Sequence, residues 1–148
     1  MPRNFVKITL LVLLFALSTA PQSAPSTRDI AGTWHGNWTS PEGFLYEAYM
    51  TLTVDGSNNV VGSIHWTLRK SPRPDLQAKI GVTGVEHVNG VFLPDAGVVR
   101  MEGTSLDDPN HILGMDKYRL IVSDDARVLG GITWDHGPWT GQFLLQRQ

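Results

Sequence analysis

Residues 46–54 read YEAYMTLTV, a stretch in which apolar side chains recur at every second position. One face of this segment carries Tyr46, Ala48, Met50, Leu52 and Val54. A period of two predicts a β-strand with one buried face. Residues 60–69 repeat the pattern, and the intervening DGSNN at 55–59 is typical of a compact turn. The two segments together predict a β-hairpin.

The chain after Arg28 continues as short strands and turns. Its segments are rich in Val, Ile, Thr, Tyr and Trp, are interrupted by Gly, Asp, Asn and Pro, and show no helical period. We expect an all-β fold with eight antiparallel strands in up-and-down order, at 30–39, 45–54, 60–69, 79–93, 97–105, 117–123, 128–135 and 139–147. Such a meander closes as a barrel or packs as a β-sandwich. Glycines inside several strands favour the barrel, because closing a small barrel requires bends, and the sandwich is the alternative.

The N-terminal sequence predicts export. Arg3 and Lys7 precede an apolar run at 8–17, and small residues follow at 18–20, which is the pattern of a secretory signal peptide. The run is shorter than the roughly 20 apolar residues of a spanning helix, so no membrane span is expected after signal removal. The predicted organisation is a signal peptide at 1–24 (cleaved between 18 and 24), a short linker at 25–29 and a single barrel domain at 30–148. The product is expected to be periplasmic or secreted.

Composition excludes several classes of protein. The chain has no cysteine, so it has no disulfide scaffold, no thiol nucleophile and no cysteine-borne lipid. Loss of the signal removes two basic residues and leaves ten Lys and Arg against fourteen Asp and Glu, a net charge of −4. Nucleic-acid binding depends on clustered basic residues, so no nucleic-acid partner is expected.

Gly32-Thr33-Trp34 opens the first predicted strand, and Arg147 ends the last. This arrangement resembles the calycin group of small barrels, which includes lipocalins and avidins. The resemblance implies that Trp34 packs against Arg147 at the closed end of the barrel, where both residues are structural. It extends in outline over residues 30–148. No ligand contacts are transferred from avidin, because its series of polar contacts is not matched beyond residues 32–34.

The connections between strands divide into two sets. In an up-and-down barrel, alternate connections lie at opposite rims. We call the rim where the first strand begins the near rim, and the predicted connections there are compact, at 55–59, 94–97 and 123–127. The opposite, far rim has the connections at 40–44, 70–78, 106–116 and 136–138, which include both long ones. Long loops around an open barrel end are where ligands enter, so the far rim is the expected binding end.

Aromatic residues concentrate at the same rim. The candidate ligand-binding residues are Trp38, Tyr46, Trp66, Tyr118, Trp134 and Trp139. Strand alternation assigns all of them except Tyr118 to the inward face. Large aromatic side chains suit a flat or apolar ligand. The sequence therefore favours a non-enzymatic protein that holds a small apolar or aromatic ligand. The alternative is that the barrel interior is filled by its own side chains.

Two other functions remain as alternatives. The first is a protein-interaction or inhibitor module that uses loops 70–78 and 106–116 on a filled barrel. The second is an enzyme that places Glu86, Glu102 or His65 inside a cavity, although charged residues on the outer face are the commoner arrangement. The chain has no recognisable catalytic motif and no histidine pair at metal-ligand spacing. No catalytic residue, metal or cofactor is therefore assigned.

Overall fold

A computed structural model describes Ser23 and residues 25–148. The predicted signal peptide lies, apart from Ser23, outside the described residues. The strands are β1 Gly32–Thr39, β2 Leu45–Val54, β3 Asn59–Lys70, β4 Thr83–Leu93, β5 Val98–Asp107, β6 Lys117–Val122, β7 Val128–Trp134 and β8 Thr140–Arg147. A one-turn helix, α1, covers Thr27–Ile30, and 3-10 helices cover Pro74–Lys79 and Pro94–Ala96.

The eight strands form a closed barrel in chain order. Every strand pairs antiparallel with the next, and β8 closes the barrel by pairing with β1 from Trp34 opposite Arg147 to Thr39 opposite Gln142. The all-β, up-and-down barrel predicted from the sequence is thus confirmed, and the sandwich alternative is wrong. Closure also places the connections at the two rims as the alternation predicts, because each strand crosses the barrel once.

One predicted strand is too long at its start. The prediction begins the fourth strand at residue 79, whereas β4 begins at Thr83. Pro74 starts a 3-10 helix that continues to Lys79, and Gly81 then turns the chain with φ +91°. Proline presets the dihedral angle of a first helical turn and glycine tolerates positive φ, so these two residues extend the far-rim loop to 71–82.

The near rim is closed by side chains and by α1. The guanidinium of Arg147 lies 4.6 Å from the centre of the Trp34 ring, as the resemblance implies. Its Nε donates to the carbonyl of Ala126 at 3.0 Å, and its Nη1 donates to the carbonyl of Ala31 at 3.0 Å. Trp34 Nε1 donates to the carbonyl of Ile30 at 3.0 Å. The last strand is therefore joined to the first strand and to α1 at this end.

Apolar side chains fill the barrel next to this closed end. Those with less than 2% exposure include Met50, Leu52, Ile64, Phe92, Leu120, Leu129 and Leu145. Close packing of this kind supplies most of the stability of a domain that has no disulfide. The interior toward the far rim is lined differently, by aromatic and acidic side chains.

Candidate ligand-binding site

A cavity of about 290 Å³ opens at the far rim, between inward side chains of the barrel and residues of the loops 71–82 and 108–116. This volume is near the lower end of the roughly 300–1,000 Å³ that is typical of small-molecule sites. Of the loop residues that wall the cavity, Leu76 and Ile112 are buried. The barrel is thus filled by apolar side chains next to the near rim, whereas a cavity opens at the far rim.

Aromatic side chains of β1, β2 and β3 form one wall of the cavity. The ring of Tyr46 lies edge-on to those of Trp38 and Trp66, with centroid distances of 5.7 Å and 6.0 Å. The Tyr46 hydroxyl donates to the carbonyl of Ile112 at 2.6 Å. Edge-to-face contacts favour a defined ring orientation, and the hydrogen bond joins this wall to the loop 108–116.

Trp139 stands at the entrance of the cavity. Its ring packs edge-on against Phe44, with centroids 5.4 Å apart, and 37% of its surface is exposed. One carboxylate oxygen of Asp135 accepts hydrogen bonds from the backbone N–H groups of Gly137 and Trp139, at 2.7 Å and 3.1 Å. The turn that carries Trp139 is therefore held in place by a side chain that also lines the cavity.

The structure brings together four of the six candidate residues. Trp38, Tyr46, Trp66 and Trp139 line the cavity. Tyr118, the one candidate not expected on the inward face, is in fact inward and fully buried, because it shares its strand face with the core residues Leu120 and Val122. It lies beneath the cavity and contacts it through a carboxylate rather than directly.

The expected inward position of Trp134 is wrong. Thr133 is buried and points inward, so strand alternation turns Trp134 outward, where 37% of its surface is exposed. The assignment failed because it set the alternation of this strand one residue out of step. Leu129 and Thr133 are the inward residues of β7, and the small Thr133 side chain leaves room for Trp38, whose Nε1 donates to its hydroxyl at 2.7 Å.

Glu86 is the principal residue that the sequence analysis misplaced. It was grouped with Glu102 as an outer-face charge, yet Glu86 is 1% exposed and lines the cavity, whereas Glu102 is exposed. The register pairs Glu86 with Leu106 and Asn89 with Glu102, so the two carboxylates are not neighbours. The signal was present in the sequence, because Glu86 shares its strand face with Val88 and Phe92, which are core residues.

Three donors hold the Glu86 carboxylate at the base of the cavity. Its Oε2 accepts from the Tyr118 hydroxyl at 2.5 Å and from Trp66 Nε1 at 3.2 Å. Its Oε1 accepts from the backbone N–H of Asp116 at 3.0 Å. Burial nevertheless raises the pKa of Glu86 from its ordinary 4.5 to about 7, against the effect of these hydrogen bonds. At neutral pH this group is therefore divided between its charged and neutral forms.

Asp116 is a second acidic group of the cavity, and it has fewer partners. Its Oδ2 accepts from the Thr133 hydroxyl at 3.3 Å, while Oδ1 receives no hydrogen bond from any described residue. Burial raises the pKa of Asp116 to about 6, and the nearby Asp135 adds to this rise. The hydroxyl of Thr133 thus links Trp38 on the aromatic wall to a carboxylate that has one oxygen available.

Two glycines make space for these side chains. A Cβ atom at Gly103 would lie 2.2 Å from Oε1 of Glu86, and one at Gly141 would lie 2.1 Å from the indole of Trp38. Neither distance is compatible with van der Waals contact. The sequence analysis interpreted strand glycines as bends, but at these two positions their role is to admit a carboxylate and an indole into the barrel.

Basic side chains contribute little to the cavity. Among the described lining residues, Arg73 is the one Lys or Arg, and it is engaged by Asp75 through bonds of 3.1 Å and 2.5 Å. Both partners of that pair are more than half exposed. His111 lines the entrance and is also exposed. The three carboxylates of Glu86, Asp116 and Asp135 thus have no buried cation opposite them in the described structure.

No family model matches this chain, and comparison with curated proteins and with solved structures likewise finds no match. Among the described residues, no group of three His, Asp or Glu side chains is arranged to hold a metal ion. No helix in the described part of the chain has the length and apolar character needed to cross a bilayer. The site must therefore be interpreted from its own geometry.

Proposed function

We propose that this chain is an exported, non-enzymatic binding protein that holds a small ligand with an aromatic or apolar body in the far-rim cavity. The observation that carries the proposal is the position of Trp38, Tyr46, Trp66 and Trp139 around one open cavity. A flat ring would replace water against aromatic surfaces there, which gains free energy in proportion to the apolar area buried. The cavity volume of about 290 Å³ favours a ligand of one or two fused rings.

Two further features support the proposal. The contact between Trp34 and Arg147 at the near rim agrees with a calycin-like barrel, a group whose members hold ligands in the barrel interior. The N-terminal sequence has the pattern of a secretory signal, with Arg3 and Lys7 before an apolar run.

The geometry supports the interaction-module alternative less well. Loops 70–78 and 106–116 would serve as a docking surface above a filled barrel. Leu76 and Ile112 of these loops are instead buried and line the cavity. The loops therefore act as walls of the proposed site, although their exposed residues, such as Pro72 and Pro109, face solvent.

Replacement of Trp139 tests the proposal without disturbing the core. We expect the protein to bind the neutral probe 3-ethylindole in calorimetric titration, and Trp139→Ala to weaken that binding roughly tenfold, because loss of an indole contact costs on the order of 1 kcal/mol or more. Trp134→Ala is the matched control, since Trp134 and Trp139 are equally exposed, at 37%, but Trp134 lies on the outer face. Equal weakening by both variants, or no binding of any of the indole probes by the unmodified protein, would contradict the proposal.

A further inference from the structure

The acidic groups of the cavity are more numerous than an apolar ligand requires. Glu86, Asp116 and Asp135 all line it, and the one Lys or Arg among the described lining residues, Arg73, is paired with Asp75 at the exposed rim. Buried carboxylates are ordinarily paired or fully hydrogen-bonded, because removing their hydration is costly. This cavity therefore has a deficit of positive charge.

The deficit is located at Asp116. Glu86 accepts three hydrogen bonds from Tyr118, Trp66 and the backbone of Asp116, so its oxygens are already used. One oxygen of Asp135 accepts two backbone N–H bonds in the turn that carries Trp139. Asp116 has only the hydrogen bond from Thr133, and its Oδ1 is available among the described residues. A ligand that donates hydrogen bonds would find its partner at this oxygen.

The aromatic wall suits the same kind of ligand. A cation placed over the face of an indole or phenol ring is attracted by about 0.5–2 kcal/mol, most strongly where water is excluded. Trp38 is linked to Asp116 through the Thr133 hydroxyl, with distances of 2.7 Å and 3.3 Å, so the carboxylate and an indole lie at one part of the cavity. His111, exposed at the entrance, is the other group able to carry positive charge, and it forms no ion pair with any described carboxylate.

We infer that the ligand is an organic ammonium with an aromatic body, whose charged nitrogen pairs with Asp116 while its ring packs against Trp38, Tyr46 and Trp66. This inference rests on the proposed function and specifies its ligand class. A carboxylate-bearing ligand of the same shape is disfavoured, because it would add a negative charge next to the acidic side chains of Glu86, Asp116 and Asp135.

A series of three probes with one ring and one chain length tests the inference. Tryptamine, 3-ethylindole and indole-3-propionate carry an ammonium group, a hydrogen atom and a carboxylate, respectively, at the end of the same two-carbon chain on an indole ring, and each is titrated calorimetrically at pH 7.5. We expect tryptamine to bind at least tenfold more tightly than 3-ethylindole, and indole-3-propionate to bind most weakly. The series uses the unmodified protein, so it does not depend on the folding of a variant.

The variant Asp116→Asn tests whether Asp116 is the carboxylate that pairs with the ammonium group. We expect this variant to remove the advantage of tryptamine over 3-ethylindole, measured as the ratio of the two dissociation constants in the same variant. Glu102→Gln is the control, because it removes one negative charge from the exposed outer face. A tryptamine advantage that survives in Asp116→Asn, or that disappears equally in Glu102→Gln, overturns the assignment to Asp116.

The outcomes separate this inference from the proposed function. Equal affinity for tryptamine and 3-ethylindole overturns the ammonium inference and leaves the binding proposal intact. Absence of binding by all three probes overturns the proposed function itself. Tighter binding of indole-3-propionate than of tryptamine assigns the opposite ligand charge and also overturns the inference.

Discussion

The two rims of the barrel bury charged groups in opposite ways. At the near rim, the Arg147 guanidinium lies over Trp34 and donates to the carbonyls of Asp29, Ala31 and Ala126. At the far rim, Glu86 and Asp116 are carboxylates that burial pushes toward their neutral forms. The first arrangement joins the two ends of the sheet, whereas the second lowers the free energy of unfolding. The near rim thus stabilises the closed barrel, whereas the far rim carries the site that we propose for ligand binding.

The difference arises from the groups that surround each charge. Backbone carbonyls and an indole face can satisfy a guanidinium, which is more weakly hydrated than most ions. A carboxylate that is buried among aromatic rings loses strong hydration, and three hydrogen bonds to Glu86 do not restore its ordinary pKa. Groups kept in this state are often found at functional sites.

The largest effect is expected from breaking the near rim. Trp34 is completely buried, and Trp34→Ala should lower the free energy of unfolding by roughly 3–5 kcal/mol, because it opens a cavity and removes the surface on which Arg147 stacks. Chemical denaturation measures this loss. Trp134→Ala is the control, expected to change stability by less than about 1 kcal/mol because that ring lies on the outer face. Similar losses in both variants would show that the near rim has no special role.

The pH dependence of stability tests the far rim. Glu86 has a folded pKa of about 7 against an ordinary 4.5, so the folded protein binds more protons than the unfolded chain between these values. The contribution of Glu86 to stability is therefore fully present below about pH 4.5 and is lost as pH rises through about 7, and Asp116, with a pKa of about 6, acts in the same direction. The loss attributable to Glu86 is on the order of 3 kcal/mol.

Denaturation at pH 5 and at pH 8 measures this slope. Glu86→Gln should flatten most of it, since the amide cannot ionise, and Glu102→Gln should retain the slope of the unmodified protein. The titratable groups that act on the pKa of Glu86 are Tyr118, whose neutral hydroxyl lowers it by donating a hydrogen bond, and Asp116, whose charge raises it. A slope that Glu86→Gln leaves unchanged would mean that other groups cause it.

A smaller effect on stability is expected where the backbone of Gly103 approaches Glu86. Gly103→Ala places a methyl group 2.2 Å from Oε1 of Glu86, and the carboxylate has to move from its three donors. We expect a loss of about 1–3 kcal/mol, typical of overpacking. Gly56→Ala, where no heavy atom lies within 4 Å of the new Cβ, should change stability by less than about 1 kcal/mol. Comparable losses of stability at both glycines would mean that the change in the backbone residue, and not the displacement of Glu86, causes the loss.

The architecture could be predicted closely from the sequence, and the candidate site only in part. Strand alternation and turn composition are local properties, so they located the eight strands and placed both long loops at one rim. Trp134 was assigned to the wrong face because a single step in parity reverses every side chain of a strand. Glu86 was assigned to the outer face because buried carboxylates are rare, although Val88 and Phe92 indicated its face correctly.

What the sequence by itself determined is the order of the strands, their turns, and the end of the barrel that carries the long loops. These follow from periodicity and from residues such as Gly and Pro, whose effects act within a few positions along the chain.

Only the tertiary structure decided which charges share the cavity. Glu86 on β4, Asp116 before β6 and Thr133 on β7 meet because the barrel closes, and none of these contacts is local in sequence. The raised pKa values of Glu86 and Asp116 likewise arise from burial, which depends on the packing of the whole barrel. The chemistry of the far rim is therefore a property of the closed barrel rather than of any one strand.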